Sequence, residues 1–206
     1  MDDNQITAFH PGAMSESHLN SVNDVSDVAF GIVSPDGKQG MIKHAKEFYN
    51  ANIPFIFDPG QGMPMFNKDE LLTFIDQASY ITLNDYESQL LQDKTGLKIN
   101  DIISQVEALI VTKGSEGSEI FTKSGIIKIE PAITPIAQDP TGCGDAYRAG
   151  LIYGIVNGLK WKTCGRLASI LSTVNLENQG TQNHSINIKD IKVLYKNFYG
   201  ECFTEI

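Results

Sequence analysis

Cysteine is scarce in this chain: three in 206 residues, Cys143, Cys164 and Cys202. None belongs to a Cys-x-x-Cys pair or stands at metal-ligand spacing from a histidine. The odd count and wide spacing argue against a disulfide framework and fit a reducing compartment, so the cytoplasm is the expected location. Positive charge is short as well. Sixteen Lys and Arg against 25 Asp and Glu leave a formal net charge of −9. Such a balance repels a phosphate backbone at long range and weighs against nucleic acid as a partner. A local nucleotide site is still allowed, because backbone N–H groups bind phosphate whatever the net charge. No apolar run reaches the ~18 residues of a membrane span, and no basic-then-apolar segment opens the sequence, so neither a membrane nor export is expected. His10, His18, His44 and His184 are isolated and form no metal-spaced set. No Gly-x-Gly-x-x-Gly follows the first apolar strand, which disfavours a dinucleotide-binding Rossmann protein.

What is present reads as a soluble globular chain, 41% hydrophobic and 20% charged, long enough for one domain with a real core. Apolar runs at Asp27–Val33, Pro54–Phe57, Tyr80–Leu83 and Ala108–Val111 predict strands, the first closed by Ser34-Pro35-Asp36-Gly37. Helical spacing of Met41, Ile42, Ala45, Phe48 and Tyr49 predicts a helix over about 38–50, and others are expected over about 68–77 and from Asn84. This alternation predicts a mostly parallel sheet with helices on both faces, an α/β layer protein. After Val111 the rhythm changes. Short runs over 118–122 and 125–130 predict an antiparallel hairpin around Lys123-Ser124-Gly125. Helices are then expected over about 144–157, 161–176 and 188–198, with Gly180 contributing to the stop of the second. Asp58-Pro59-Gly60 reads as a structural turn, with a ligand role as the alternative, and the default for Trp161 is packing.

The densest chemistry lies in Asp139-Pro140-Thr141-Gly142-Cys143-Gly144-Asp145-Ala146-Tyr147-Arg148-Ala149-Gly150. Gly142 and Gly144 free the backbone for close approach. The helix that follows starts with unpaired N–H groups and the positive end of its dipole, which together make an anion site. Asp145 stands at that point, placed to accept a proton from an attacking hydroxyl while the amides stabilise charge on the transferring group. A glycine-rich loop with Asp145 as a plain helix-start acid is the bland alternative.

The full string resembles the second signature of the PfkB/ribokinase family of sugar and nucleoside kinases. The resemblance implies a ribokinase-like three-layer α/β/α fold and phosphotransfer from ATP, with Mg²⁺, to a sugar or nucleoside hydroxyl; an adenosine or ribosyl acceptor is preferred. It makes Asp145 the base, and Gly142, Cys143 and Gly144 the anion hole. Asp139 and Thr141 fall on positions that in many members help hold a monovalent cation, hence K⁺ as a further cofactor. Cys143 departs from the usual Ala; the amide is the working group there. The Cys143-Gly144-Asp145-Ala146-Tyr147-Arg148 wording points to the adenosine-kinase-like branch.

Two further stretches resemble family motifs in family order. Asn84-Asp85-Tyr86-Glu87 matches Asn-x-x-Glu, which implies that Asn84 bears on ATP and Glu87 on Mg²⁺ through water; the same spacing is equally a helix capping pair. Thr112-Lys113-Gly114-Ser115-Glu116-Gly117 is similar to the turn along the ATP phosphates, implicating Thr112, Lys113, Gly114 and Gly117; an ordinary strand-to-hairpin turn has the same composition. Asn175 opens the stretch that corresponds to the adenine and cation loop. The resemblance covers about Ala8 to Phe198.

The family's first signature and its early lid strands have no counterpart, and Ile6-Thr7-Ala8-Phe9 looks like a mid-protein strand. Residues 1–206 are therefore expected to be one ribokinase-like domain, the C-terminal two-thirds of such a kinase, with a homodimer among the expected assemblies. A non-catalytic nucleotide-binding remnant is the rival to an active kinase.

Overall fold

A computed structural model describes residues 10–203. Ile6–Phe9, expected to be strand-like, lie outside the described residues. The six-stranded sheet runs in chain order: β1 (Gly31–Val33), β2 (Phe55–Phe57), β3 (Tyr80–Asn84), β4 (Ala108–Thr112), β5 (Ser118–Thr122) and β6 (Gly125–Ile129). The first four strands are mutually parallel, and β4–β5 and β5–β6 are antiparallel. Helices α1 (Lys38–Asn50), α2 (Lys68–Gln77), α3 (Asp85–Thr95) and α4 (Ile99–Gln105) connect the parallel strands, and α5 (Cys143–Val156), α6 (Trp161–Leu176) and α7 (Ile188–Tyr199) follow the hairpin.

The side-chain alternation of a strand divides the core in two. Phe55, Phe57, Ile81, Leu83, Leu109 and Val111 face the α1–α4 layer and pack with Met41, Ala45, Phe48, Leu71, Phe74, Ile75, Leu91 and Ile102. Ile56, Tyr80, Ala108, Ile110 and Ile120 face the other way, onto Tyr147, Leu151, Cys164 and Ala168 of α5 and α6. Helices thus cover both faces, which is why the central strands read as unbroken apolar runs. A third cluster, Leu167, Ile170, Tyr195 and Phe203, seats α7 against α6. Phe57 and Phe74 stack with centroids 4.3 Å apart. No helix among the described residues is long and apolar enough to cross a membrane.

The structure departs from the sequence reading in three places. The first strand is three residues, not seven: Asp27 sits at φ 62° and only Gly31–Val33 pair with β2, because the apolar character upstream serves side-chain packing, with Phe30 stacked on Tyr80 at 5.8 Å. Helix α4 was not foreseen; its seven residues bury only Ile102, too short a stretch for a 3.6-residue period to show. Gly180 does not stop α6. That helix ends at Glu177 in a right-handed conformation, while the Gly180 N–H is committed to Asp139 instead.

Helices α5 and α6 pack backbone to backbone. A Cβ on Gly150 would lie 2.7 Å from Ala168 Cα, and one on Gly154 2.9 Å from Cys164 Cα. Because the obstacles at Gly150 are main-chain atoms, they cannot rotate away. Gly150→Ala is therefore expected to destabilise the fold by about 1–3 kcal/mol despite alanine's better helix propensity. An unchanged urea midpoint would show that the two helices are not held this close.

Candidate active site

The carboxyl ends of β2, β3 and β4 and the start of α5 form one edge of the sheet, where ligands of open α/β folds bind. At α5 the chain enters through Gly142 at φ 87°, a left-handed conformation strained for any residue with a Cβ. No side chain caps the helix. The Cys143 N–H donates back to Pro140 O at 3.2 Å and the Ala146 N–H to Gly142 O at 2.9 Å, which leaves Gly144 and Asp145 as the first-turn amides without an intrahelical acceptor. Both residues are exposed. A carboxylate and a pair of forward-pointing amides thus share one turn, free of competing protein partners.

The loop before α5 is braced by two residues from the chain around α6. Asp139 Oδ1 accepts from Thr141 N and its Oδ2 from Gly180 N, each at 2.9 Å. These backbone donors, Thr141 first, hold the Asp139 carboxyl below the usual carboxylate range. Asn175, expected at the nucleotide, is fully buried beneath the loop. Its Nδ2 donates to Thr141 O at 2.9 Å and lies 3.5 Å from Cys143 Sγ. It supports the loop from behind rather than facing the open side.

Asn84 and Glu87 form a complete capping box on α3: Asn84 Oδ1 accepts from Glu87 N at 2.7 Å and Glu87 Oε2 accepts from Asn84 N at 2.8 Å. The capping alternative is therefore realised, and Glu87 Oε1 is left over for another partner. Thr112 Oγ1 donates to Leu83 O at 3.4 Å, tying the ends of β3 and β4. Lys113 Nζ pairs with Glu119 at 2.7 Å, so its charge points along β5. Gly114 and Gly117 adopt φ 55° and φ 88° around a short 3-10 turn; a Cβ on Gly117 would run into the Ile129 carbonyl.

Two residues outside the expected set complete this edge. Asp58, read as part of a turn, is buried at the end of β2 and takes Arg148 of α5 side-on, with Nη2 donating to Oδ1 at 2.7 Å and Nε against Oδ2. Burial pushes the Asp58 carboxyl up, and Arg148 opposes it. Burial works against the Arg148 cation too, but the Asp58 carboxylate outweighs it and holds that guanidinium higher still. Glu87 and Asp145 bear electrostatically on both partners, which places the four groups in one cluster. The signal in the sequence was an arginine inside an otherwise apolar helix face, three residues after Asp145. Nearby, Tyr147 OH meets Ser118 Oγ at 2.6 Å, and burial first of all pushes the Tyr147 phenol up to about 12. Among the described residues no group of three or more His, Cys, Asp or Glu is arranged to hold a metal by itself.

A three-layer α/β/α fold with an uncapped glycine-rich helix start and an acid beside it defines the class as a ribokinase-like kinase fold. The profile of the pfkB family of carbohydrate kinases matches residues 2–188, and the chain belongs to that family. It is 34% identical over 184 residues to a nucleoside kinase of Methanocaldococcus jannaschii, covering 89% of this chain and 60% of the relative. The solved nucleoside kinase of Burkholderia thailandensis in complex with inosine superposes with a TM-score of 0.96 at 45% identity, over 98% of this chain and 67% of that one. The same enzyme in its ADP-inosine complex gives 0.94, over 98% and 63%. The chain thus spans about three-fifths of the length of the curated relatives it matches.

Two outcomes follow from this geometry. The Asp139 carboxyl is depressed in the folded state, so its tie between Thr141 and Gly180 is complete above the ordinary Asp value of about 3.9 and is lost only as pH falls through the lower native value. Amide-exchange protection of Thr141 and Gly180 should therefore hold constant from pH 7 to 5 and collapse only below that ordinary value; loss already at pH 5 would refute the tie. Separately, Arg148→Ala strands a buried carboxylate and is expected to cost about 3–5 kcal/mol, whereas Asp58→Asn combined with Arg148→Gln, which removes both charges, should cost far less. Denaturant titration of the two variants decides.

Proposed function

We propose that this chain carries the phosphotransfer site of a nucleoside kinase: the γ-phosphate of ATP passes to a hydroxyl of a ribosyl acceptor, a purine nucleoside before a free sugar. The observation that carries the reading is Asp145 on the same uncapped helix turn as two free amides. A base and an anion hole within one turn suit a reaction in which a hydroxyl loses its proton as charge develops on a phosphoryl group. The names of the nucleoside kinase relatives, one of them solved with inosine and with ADP-inosine, favour the nucleoside class.

In this reading the acceptor hydroxyl approaches the γ-phosphorus in line while Asp145 takes its proton. The Gly144 and Asp145 amides donate to the phosphoryl oxygens, and Gly142 and Cys143 shape the hole. In the β4–β5 turn from Thr112 to Gly117 the Lys113, Glu116 and Gly117 amides are spent within the turn, so Gly114 and Ser115 would supply the backbone N–H groups along the phosphate chain, with Gly114 and Gly117 allowing close approach. Asn84 orients Glu87 through the capping box, and Glu87 would help hold Mg²⁺ through water. Carboxylate oxygens with phosphate and water are the donor set Mg²⁺ accepts, and the ion supplies neutralisation of the β- and γ-phosphate charge when bound. Asp139 and Thr141 would help hold K⁺: each Asp139 oxygen accepts one backbone N–H and keeps a lone pair for a cation. Three free cysteines fit a cytoplasmic setting.

The test is transfer from ATP with Mg²⁺, with and without K⁺, to inosine, adenosine, ribose and fructose, alongside Asp145→Asn. Turnover on a nucleoside that falls by about 10³-fold or more in Asp145→Asn, with ATP affinity kept, is the expected result. ATP binding without transfer to any acceptor would make the domain a nucleotide-binding unit without turnover. Full turnover in Asp145→Asn would remove Asp145 as the base.

A further inference from the structure

We propose that Arg148 is a second catalytic residue of this site: its Nη1 donates to a non-bridging oxygen of the transferring phosphoryl group, while Asp58 holds the rest of the guanidinium still. The inference rests on the kinase reading above and extends it to a residue outside the Gly-Cys-Gly-Asp run.

The position of the guanidinium is the first support. Arg148 stands four residues after Gly144, and helix side chains lean toward the N-terminus, so its head group reaches back to the first turn of α5. There Nη1 lies 2.6 Å from where a Cβ on Gly144 would be. The nitrogen therefore rests against the middle of the anion-hole loop, and Gly144 is open because an arginine passes over it.

The second support is the division of labour within the side chain. Asp58 engages Nε and Nη2 from the side. A guanidinium is a rigid planar fork, so fixing two nitrogens fixes the direction of the third. Nη1 is the corner that Asp58 does not use, and it is the corner at Gly144.

The third support is electrostatic. A cation at a helix N-terminus faces the positive end of the dipole, which is unfavourable. This one is also largely withdrawn from water, its side chain 16% exposed. An ion pair serving only stability gains nothing from that placement. An anion bound at the loop reverses the sign, since dipole and guanidinium then both attract it. Glu87 and Asp145 also bear on the Asp58–Arg148 pair, so an arriving phosphate meets two further carboxylates. Arg148 offsets them where the charge builds up.

The step balances without a redox partner or extra proton. The acceptor oxygen forms a bond to the γ-phosphorus as the bond from that phosphorus to the bridging oxygen of ADP breaks. The acceptor proton goes to Asp145, ADP leaves with the bonding pair, and Arg148 stays protonated throughout, contributing a hydrogen bond alone.

The experiment compares wild-type chain, the neutral pair Asp58→Asn/Arg148→Gln, and Arg148→Lys. Calorimetric affinity for ADP with Mg²⁺ is measured with and without aluminium fluoride, a mimic of the phosphoryl group in flight, and thermal midpoints are recorded. The wild type should bind ADP more tightly with the fluoride complex present. In the neutral pair the affinity for ADP alone should stay within about threefold, while the added tightening falls by about 100-fold, the loss expected for one oxyanion donor. If the neutral pair does not fold, Arg148→Lys decides: a lysine paired with Asp58 has no rigid third donor at Gly144, so the same loss is expected. Undiminished tightening in a folded variant overturns the role of Arg148 and leaves the kinase reading standing. Wild-type chain that binds no ADP overturns the kinase reading and this inference with it.

Discussion

The buried pair between Asp58 and Arg148 is the constraint on which the site's geometry depends. Ninety positions apart in sequence, the two residues join the end of β2 to the first turns of α5. Strand β2 belongs to the core shared with α1–α4, whereas α5 packs on the opposite face of the sheet. The pair therefore stitches the two helical layers together at the sheet edge where β3 and β4 also end. Such a pair is not a cheap way to gain stability, because desolvation of both ions cancels most of the attraction. What it secures is registration: α5 cannot slide or rotate without breaking a two-point contact.

Around that stitch, small residues settle how near the parts can come. Gly150 and Gly154 bring α5 against the backbone of α6, and α6 in turn carries Asn175 under the loop that starts α5. Asp139 closes the ring by binding both its own loop and Gly180. The amides of Gly144 and Asp145 are free because they stand in the first turn of an uncapped helix, and this bracing holds them in place. The same economy is visible at α3, where one carboxylate oxygen of Glu87 caps the helix and the other remains available.

Most of the fold was legible in the sequence, and the reason is local. Continuous apolar runs such as Phe55–Phe57 and Ala108–Val111 mark strands covered on both faces. The capping pair at Asn84/Glu87 starts its helix where side chain and backbone satisfy each other within four residues. Where the local signal was brief or ambiguous it misled: the run before Gly31 is apolar for packing and not for pairing, α4 is too short to display a period, and a glycine near the end of α6 looked like a stop.

By itself the sequence determined the layer order, the helix that opens at the Gly-Cys-Gly-Asp run and the family to which that run belongs, because each is written in contiguous residues whose chemistry is local. Only the tertiary structure decided that Asp58 is the buried partner of Arg148, that Lys113 turns toward Glu119, that Asn175 lies beneath the loop, and that Arg148 reaches back over Gly144. Those facts join residues dozens of positions apart, or choose among rotamers of one long side chain, and no spacing rule within a strand or helix encodes either. Contact across the chain is settled by how the layers pack, and packing is a property of the whole fold.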